Sequence, residues 1–372
     1  MRSARLWCAA LVLCGQAQAM AADCGPAAAW PRWEAFQAAA IAPEGRVVDH
    51  SDPRAITTSE GQGYALFLAL VNGDRRLFQR LLRWTERELA RGDLTAYLPA
   101  WLWGAREAGG HGVLDANTAS DADLWIAYAL LEAGRLWNEH RYAALGSLML
   151  GRIAREELAE VPGLGTVLLP GMRGFAHDWG WVLNPSYMPP QIFERFARAQ
   201  AEGPWAAARA ALPRVLQQGA PRGYAADWIA WQADQQAFAP RPGREATGSY
   251  DAIRVYLWLG MLAPDAADAQ ALKTHFMAIE GLVDAEGRLP ERIDILSGES
   301  RGDGPAGFSA AVLPLLRDGP HAAALARRAA SVGLSGDRYY EQMLALFAEG
   351  WMQGRYRFDA QGALLTGDAA CP

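Results

Sequence analysis

The chain has 372 residues, with 35 Lys+Arg against 41 Asp+Glu, a formal net charge of -6, 51% hydrophobic residues and 15 tryptophans. That apolar share is enough for a sizeable core and excludes wholesale disorder. The acidic balance argues against a nucleic-acid binder, which needs a basic face.

The N-terminus reads as a leader. Arg2 and Arg5 precede an apolar run from Leu6 to Leu13, and Ala17-Gln18-Ala19 or Ala19-Met20-Ala21 offers a small-residue cleavage site. Residues 1–21 are therefore expected to be a signal peptide, with the cut placed to within two residues, and 22–372 a single domain. The apolar run is too short to span a bilayer, and no later stretch approaches about 18 uncharged apolar residues. Neither Cys14 nor Cys24 follows the small residue that precedes a lipidated cysteine. The mature protein is expected to be periplasmic or secreted, monomeric and without a membrane span. Removal of the leader leaves Cys24 and Cys371, one at each end. In an oxidising compartment a disulfide joining the termini is the simplest reading, with two unpaired thiols as the alternative. The six histidines include no ligand-spaced pair, so neither a metal nor a cofactor is expected.

Helical periodicity dominates the rest. Apolar positions three and four apart predict twelve helices, over 29–42, 60–72, 75–91, 119–136, 140–159, 189–200, 204–218, 249–262, 266–281, 308–317, 320–332 and 337–353. Strand signals are few: only Arg355–Thr366, alternating around Asp359-Ala360-Gln361-Gly362, reads as a β-hairpin. Twelve helices without a linker predict an all-α fold of six helical hairpins closed into an (α/α)6 barrel. The even-numbered helices then run parallel and open their N-termini onto one face. Those starts are Thr57-Thr58-Ser59-Glu60-Gly61-Gln62-Gly63-Tyr64, Ala119-Ser120-Asp121-Ala122-Asp123, Asn184-Pro185-Ser186-Tyr187 and Gly248-Ser249-Tyr250-Asp251.

Taken singly, each acid has an ordinary explanation as a helix cap or a partner for the helix dipole. Two features weigh against it. Gly61 and Gly63 are poor helix formers that let another chain approach closely, and Glu60, Asp121 and Asp251 fall on alternate helices whose starts converge. A proton donor at a helix start needs an apolar wall or a neighbouring acid, and Tyr64, Trp101 and Trp103 are candidates for that wall. Paired carboxyls without a cofactor are the equipment of glycoside hydrolysis. Trp84, Trp125 and Trp258 sit on apolar helix faces and read as core, whereas the loop-borne Trp101, Trp103, Trp179 and Trp181 are candidate sugar platforms.

The stretch Ala119–Trp137 (ASDADLWIAYALLEAGRLW) resembles the signature of glycoside hydrolase family 8, Ala-Ser/Thr-Asp-Ala/Gly-Asp followed by a hydrophobic helix ending near an aromatic. Glu44–Asp49, Thr57–Gly61, Leu98–Gly104, Asn184–Pro189, Ser249–Tyr256 and Gly304–Ser309 extend the likeness over nearly the whole mature chain. Within the family it is most similar to the exported endoglucanases that accompany bacterial cellulose synthase, a branch that the two terminal cysteines also fit. The resemblance implies an (α/α)6 barrel and an inverting mechanism. Glu60 would be the general acid and Asp251 the general base. Asp121 would hold the sugar at the cleavage subsite and orient the water. Asp251 followed by Arg254 is similar to the cellulase and xylanase branch. The expected activity is endo-hydrolysis of β-1,4-glucan, with the cellulose synthase and export machinery as a candidate partner, and with the acid and base carboxyls roughly 6.5–9.5 Å apart. Trp103 and its neighbours would stack the glucan; Asn184, Tyr187, Phe308 and Tyr340 would line the cleft; Arg254 would bond a sugar or orient Asp251. Tyr339 and Tyr340 have packing between helices as their alternative. Another β-glycan (xylan, chitosan or mixed-linkage glucan) and a catalytically silent glycan binder are the competing functions.

Overall fold

The computed structural model describes residues 29–335 and 338–367, so the expected leader and both Cys24 and Cys371 lie outside the described residues. Twelve α-helices occur among the described residues: α1 (Pro31–Ala40), α2 (Ser59–Val71), α3 (Arg75–Trp84), α4 (Ser120–Leu136), α5 (His140–Glu156), α6 (Pro190–Ala199), α7 (Trp205–Gln218), α8 (Ile253–Gly260), α9 (Ala269–Phe276), α10 (Ala306–Leu316), α11 (Ala322–Ala330) and α12 (Tyr339–Met352). None of them is long and apolar enough to cross a membrane.

The even helices form an inner ring. Each packs on the next, from α2 through α4, α6, α8 and α10 to α12. Phe347 of α12 stacks on Phe67 of α2, with centroids 5.3 Å apart, and closes the circle. Outside, α3, α5, α7, α9 and α11 each cover the inner helix that precedes them, and α1 covers α12. This is the (α/α)6 barrel that the helix count predicts. Sequence composition explains the two layers. Helix α4 is buried continuously from Ser120 to Gly134, as a helix apolar on all sides must be. Helix α3 buries Leu77, Phe78, Leu81 and Leu82 on one stripe and exposes Arg75, Arg76, Gln79 and Arg83.

One continuous apolar core runs from Trp30 to Leu364. At its centre Tyr64, Phe67, Trp125, Trp258 and Phe347 meet mostly edge to face, with centroids 4.9 to 6.2 Å apart. The close approach expected at Gly61 and Gly63 is made by the ring itself. A Cβ at Gly61 would lie 2.1 Å from the Tyr339 hydroxyl of α12, and one at Gly63 would lie 3.1 Å from the Ala122 carbonyl of α4.

Two expectations need correction. The C-terminal hairpin is present, pairing Tyr356–Phe358 with Leu364–Thr366, but four further small antiparallel sheets occupy the long connections. Their strands are two to five residues long, too short to show an alternating pattern. The eighth helix begins at Ile253 rather than at 249, so Asp251 sits in a turn ahead of it.

Buried charge ties the chain's end to the ring. Glu132 of α4 accepts hydrogen bonds from Arg195 Nε at 2.7 Å, Arg135 Nε at 3.0 Å and the backbone N–H of Leu364 at 2.8 Å. Tyr128 donates to the Gly362 carbonyl at 2.8 Å. Replacing Glu132 with Ala takes the carboxylate from Arg195 and the Leu364 N–H and leaves Arg135 with the Leu364 carbonyl, and is expected to lower unfolding free energy by about 3–5 kcal/mol in denaturant titrations.

A second buried acid pair lies behind the start of α4. Thr118 donates to Glu157 Oε1 at 2.5 Å and accepts from the Met172 N–H at 2.9 Å, while neither carboxyl oxygen of Asp123 has a donor partner. Burial and the adjacent Glu157 charge hold the Asp123 proton on, and burial pushes Glu157 from 4.5 up to about 8. The folded chain thus binds protons that the unfolded chain has released, and this pair's contribution to stability falls as pH rises from the ordinary carboxylate range towards 8. Asp123→Asn supplies an amide donor to Glu157 without a proton. Its Tm relative to wild type is expected to rise between about pH 5 and about pH 8; a flat difference would reject the shared proton.

Candidate active site

Three ring elements bring carboxylates to one arginine. In α2 the N-cap is Thr58, whose hydroxyl accepts from the Gly61 N–H at 3.1 Å, so the Glu60 carboxylate is not used as a cap. In α4 no side chain caps the helix; Asp121 Oδ1 accepts from the Ala122 N–H at 2.8 Å, and its Oδ2 is buried without a hydrogen bond. Arg254, in the first turn of α8 and only 5% exposed, reaches all three. Its Nη1 donates to Glu60 Oε2 at 2.8 Å and lies 3.9 Å from Asp121 Oδ2, and its Nη2 donates to Asp251 Oδ1 at 2.7 Å.

The arginine is held from behind. Nη2 also donates to the Ser186 hydroxyl at 3.1 Å, which donates in turn to Asn184 Oδ1 at 2.7 Å, and Trp258 Nε1 fixes the Ser186 carbonyl at 2.9 Å. Tyr187 lies against the guanidinium, 5.7 Å from its ring centroid. Asp121 is sealed in, whereas Glu60 and Asp251 keep an open side.

Electrostatics separate the acids. Burial, reinforced by the Glu60 charge, holds the Asp121 carboxyl well above the usual range despite Arg254. Burial lifts Asp251 from 3.8 to about 6, with Arg254 opposing the rise and the Asp227 and Glu60 charges adding to it. The Asn184 amide holds the Asp251 carboxyl down slightly, although its Nδ2 makes no full hydrogen bond among the described residues.

The aromatic candidates separate by depth. Trp101 is half-buried and its carbonyl accepts from the Ser59 N–H at 3.0 Å, which sets it beside Glu60. Tyr340 donates to the Tyr250 carbonyl at 2.5 Å and lines the space under Glu60 and Arg254, whereas Tyr339 packs against Gly61 and Phe36 between helices. Tyr64 is buried beneath the site as its floor, against Trp125, Trp258 and Phe347. Trp103 is not a platform. It is 8% exposed, edge-on to Trp84 and stacked on His111, with the Arg46 guanidinium 4.2 Å above its ring, because its strand pairs with Thr57 and turns the indole into a satellite core. Phe308 is also corrected: it is 2% exposed and packs beneath Tyr250, with centroids 5.2 Å apart. Trp179 is 39% exposed but stacks on His177, and Trp181 is half-buried against the core.

Three residues escaped the sequence reading. Tyr250, 44% exposed beside Asp251, is the open ring that Phe308 and Tyr340 support. Trp228 meets Tyr187 edge-on at 6.1 Å and stacks on Phe175. Asp227 accepts three backbone N–H groups of the turn that carries Asp251. Adjacency to Asp251 was a usable signal for Tyr250; nothing in the local sequence marks Asp227 or Trp228.

The chain has relatives among known proteins along most of its length. The profile of the family described as Glycosyl hydrolases family 8 matches residues 7–354. The endoglucanase of Escherichia coli O157:H7 is 45% identical over 339 residues, covering 91% of each chain. That of Xanthomonas axonopodis pv. citri (strain 306) is 47% identical over 362 residues, covering 96% of this chain and 93% of its own. The crystal structure of endo-1,4-D-glucanase from Vibrio fischeri ES114 superposes with a TM-score of 0.87 at 43% identity, over 91% of this chain and 99% of that one. The chain belongs to glycosyl hydrolase family 8.

Proposed function

We propose that the protein is an endo-β-1,4-glucanase that hydrolyses cellulose-type glucan with inversion. The observation that carries this reading is Arg254, whose two Nη atoms grip Glu60 from α2 and Asp251 from the turn before α8, with Asp121 of α4 beside them. Because two different guanidinium nitrogens take the two carboxylates, the arginine acts as a spacer between acid and base and leaves each an open side.

Glu60 protonates the glycosidic oxygen through Oε1, while Oε2 stays on Arg254. Asp251 removes a proton from water attacking the opposite face of the sugar. Asp121 offers its unpartnered Oδ2 to the sugar at the cleavage point. Tyr250 and Trp101 stack the chain, and Tyr187 and Tyr340 shape the walls. The endoglucanase names of the relatives support a β-glucan substrate. A leader at residues 1–21 would carry the enzyme out of the cytoplasm, beside the cellulose synthase and export machinery, and be removed there.

Glu60→Gln is expected to lower kcat on carboxymethylcellulose by about 10²–10⁴-fold while oligosaccharide binding persists. Wild-type turnover in that variant would remove Glu60 from the acid role. Proton NMR of the first product is expected to show the α anomer; β anomer at early times would mean retention. Because the base must be ionised, kcat/KM is expected to fall as pH drops through about 6, the value to which Asp251 is raised.

A further inference from the structure

The turn that carries Asp251 passes its carbonyls on to α8, with Ser249 and Asp251 accepting from the Ile253 and Arg254 N–H groups at 3.1 Å each, but its own N–H groups are held from outside. It runs from Ser249 to Ala252 between the short strand Thr247–Gly248 and α8, and α8 has no side-chain cap of its own. The acceptor comes from a separate loop. Asp227 Oδ1 takes the N–H of Ser249 at 2.9 Å, of Asp251 at 3.0 Å and of Ala252 at 2.8 Å. The Asp227 N–H donates to the Thr247 carbonyl at 2.9 Å, which locks the loop to the strand leading into the turn. Ser249 adds one more tie, from its hydroxyl to the Glu291 carbonyl at 2.6 Å.

We propose that Asp227 is the positioning residue of the general base: its carboxylate fixes the 249–252 turn at the productive place and keeps a negative charge beside Asp251. The proposal rests on the reading of Asp251 as base. Surface aspartates such as Asp284 and Asp294 take two N–H groups of their own loop on one oxygen; Asp227 takes three from a separate segment, and each of them belongs to a residue that sets where the Asp251 side chain starts. The groups facing Asp251 are Arg254, Asp227, Glu60, Asp121, Tyr187, Tyr340 and the Asn184 amide. Of these, Arg254 and Asn184 favour the ionised form of Asp251, while the Asp227 and Glu60 charges oppose it. Burial raises the Asp227 carboxyl above the ordinary aspartate value, and the three N–H donors together with Arg254 limit the rise. Asp227 thus does for the base what no residue does for Glu60, whose helix is capped locally by Thr58.

Two variants separate the two roles. Asp227→Asn keeps an Oδ1 acceptor for the three N–H groups and loses the charge, so kcat is expected to stay within a few-fold of wild type. The acidic limb of kcat/KM is expected to move to lower pH than the wild-type limb. Asp227→Ala loses the acceptor as well, and kcat is expected to fall about a hundredfold with KM little changed, a loss that the Asn variant rescues. Both variants are assayed below their own Tm, with folded fraction checked by circular dichroism. An acidic limb at the wild-type pH in Asp227→Asn, or an Ala variant whose kcat falls only with its folded fraction, overturns the proposal. Asp251→Asn run alongside keeps the two readings apart, since wild-type turnover there removes the base assignment whatever Asp227 does.

Discussion

A guanidinium almost wholly removed from water costs several kcal/mol unless anions surround it, and in this protein the anions come from three different inner helices or their entry turns. Arg254 is therefore both the debt and the reason the site exists. Glu60 and Asp251 satisfy its two ends, Asp121 lies within 3.9 Å, and Ser186 takes the remaining donor geometry on Nη2. Only a closed ring of parallel inner helices presents those starts to one point. Removing any one of them leaves a buried cation or a buried carboxylate without its partner, so the site and the ring specify each other.

Helix α4 shows how one short stretch serves two environments. Asp121 and Asp123 are two residues apart, which turns their side chains to opposite sides of the helix. Asp121 faces the arginine, while Asp123 faces Glu157 at the end of α5, whose charge adds to burial in raising the Asp123 carboxyl. Aromatic residues divide in a similar way. The cluster of Tyr64, Trp125, Trp258 and Phe347 forms a dry floor under the carboxylates, and the rim above it is made by Tyr250, Trp101 and Trp228. A floor without water strengthens every charge–charge interaction above it.

Much of this is visible in the sequence because helices advertise themselves locally. The twelve periodic segments, the polar starts of the inner helices and the three acids are all short-range patterns, and the family-8 likeness of Ala119–Trp137 rests on contiguous residues. What escaped depends on contacts between distant segments. Trp103 and Phe308 look like any loop or helix-start aromatic until strand pairing and the Tyr250 ring bury them. Asp227 is one more loop aspartate until its oxygen meets a turn more than twenty residues away. The small sheets left no periodic trace because strands of two to five residues are shorter than the pattern that identifies a strand.

The seal made by the chain's last elements has a kinetic consequence. Glu132 accepts the N–H of Leu364, Tyr128 donates to the carbonyl of Gly362, and Trp30 and Arg32 donate to Glu349. These contacts span more than two hundred residues of sequence. Before the hairpin of Tyr356–Phe358 and Leu364–Thr366 docks, Phe67 and Tyr128 lack the rings of Tyr356 and Phe358, and Glu132 lacks one of its donors. Closing the ring thus depends on contacts between residues far apart in sequence, and non-local closure of this kind is slow. During that interval the half-built ring exposes the surface that aggregation uses, which makes the final dozen described residues a determinant of yield as much as of stability.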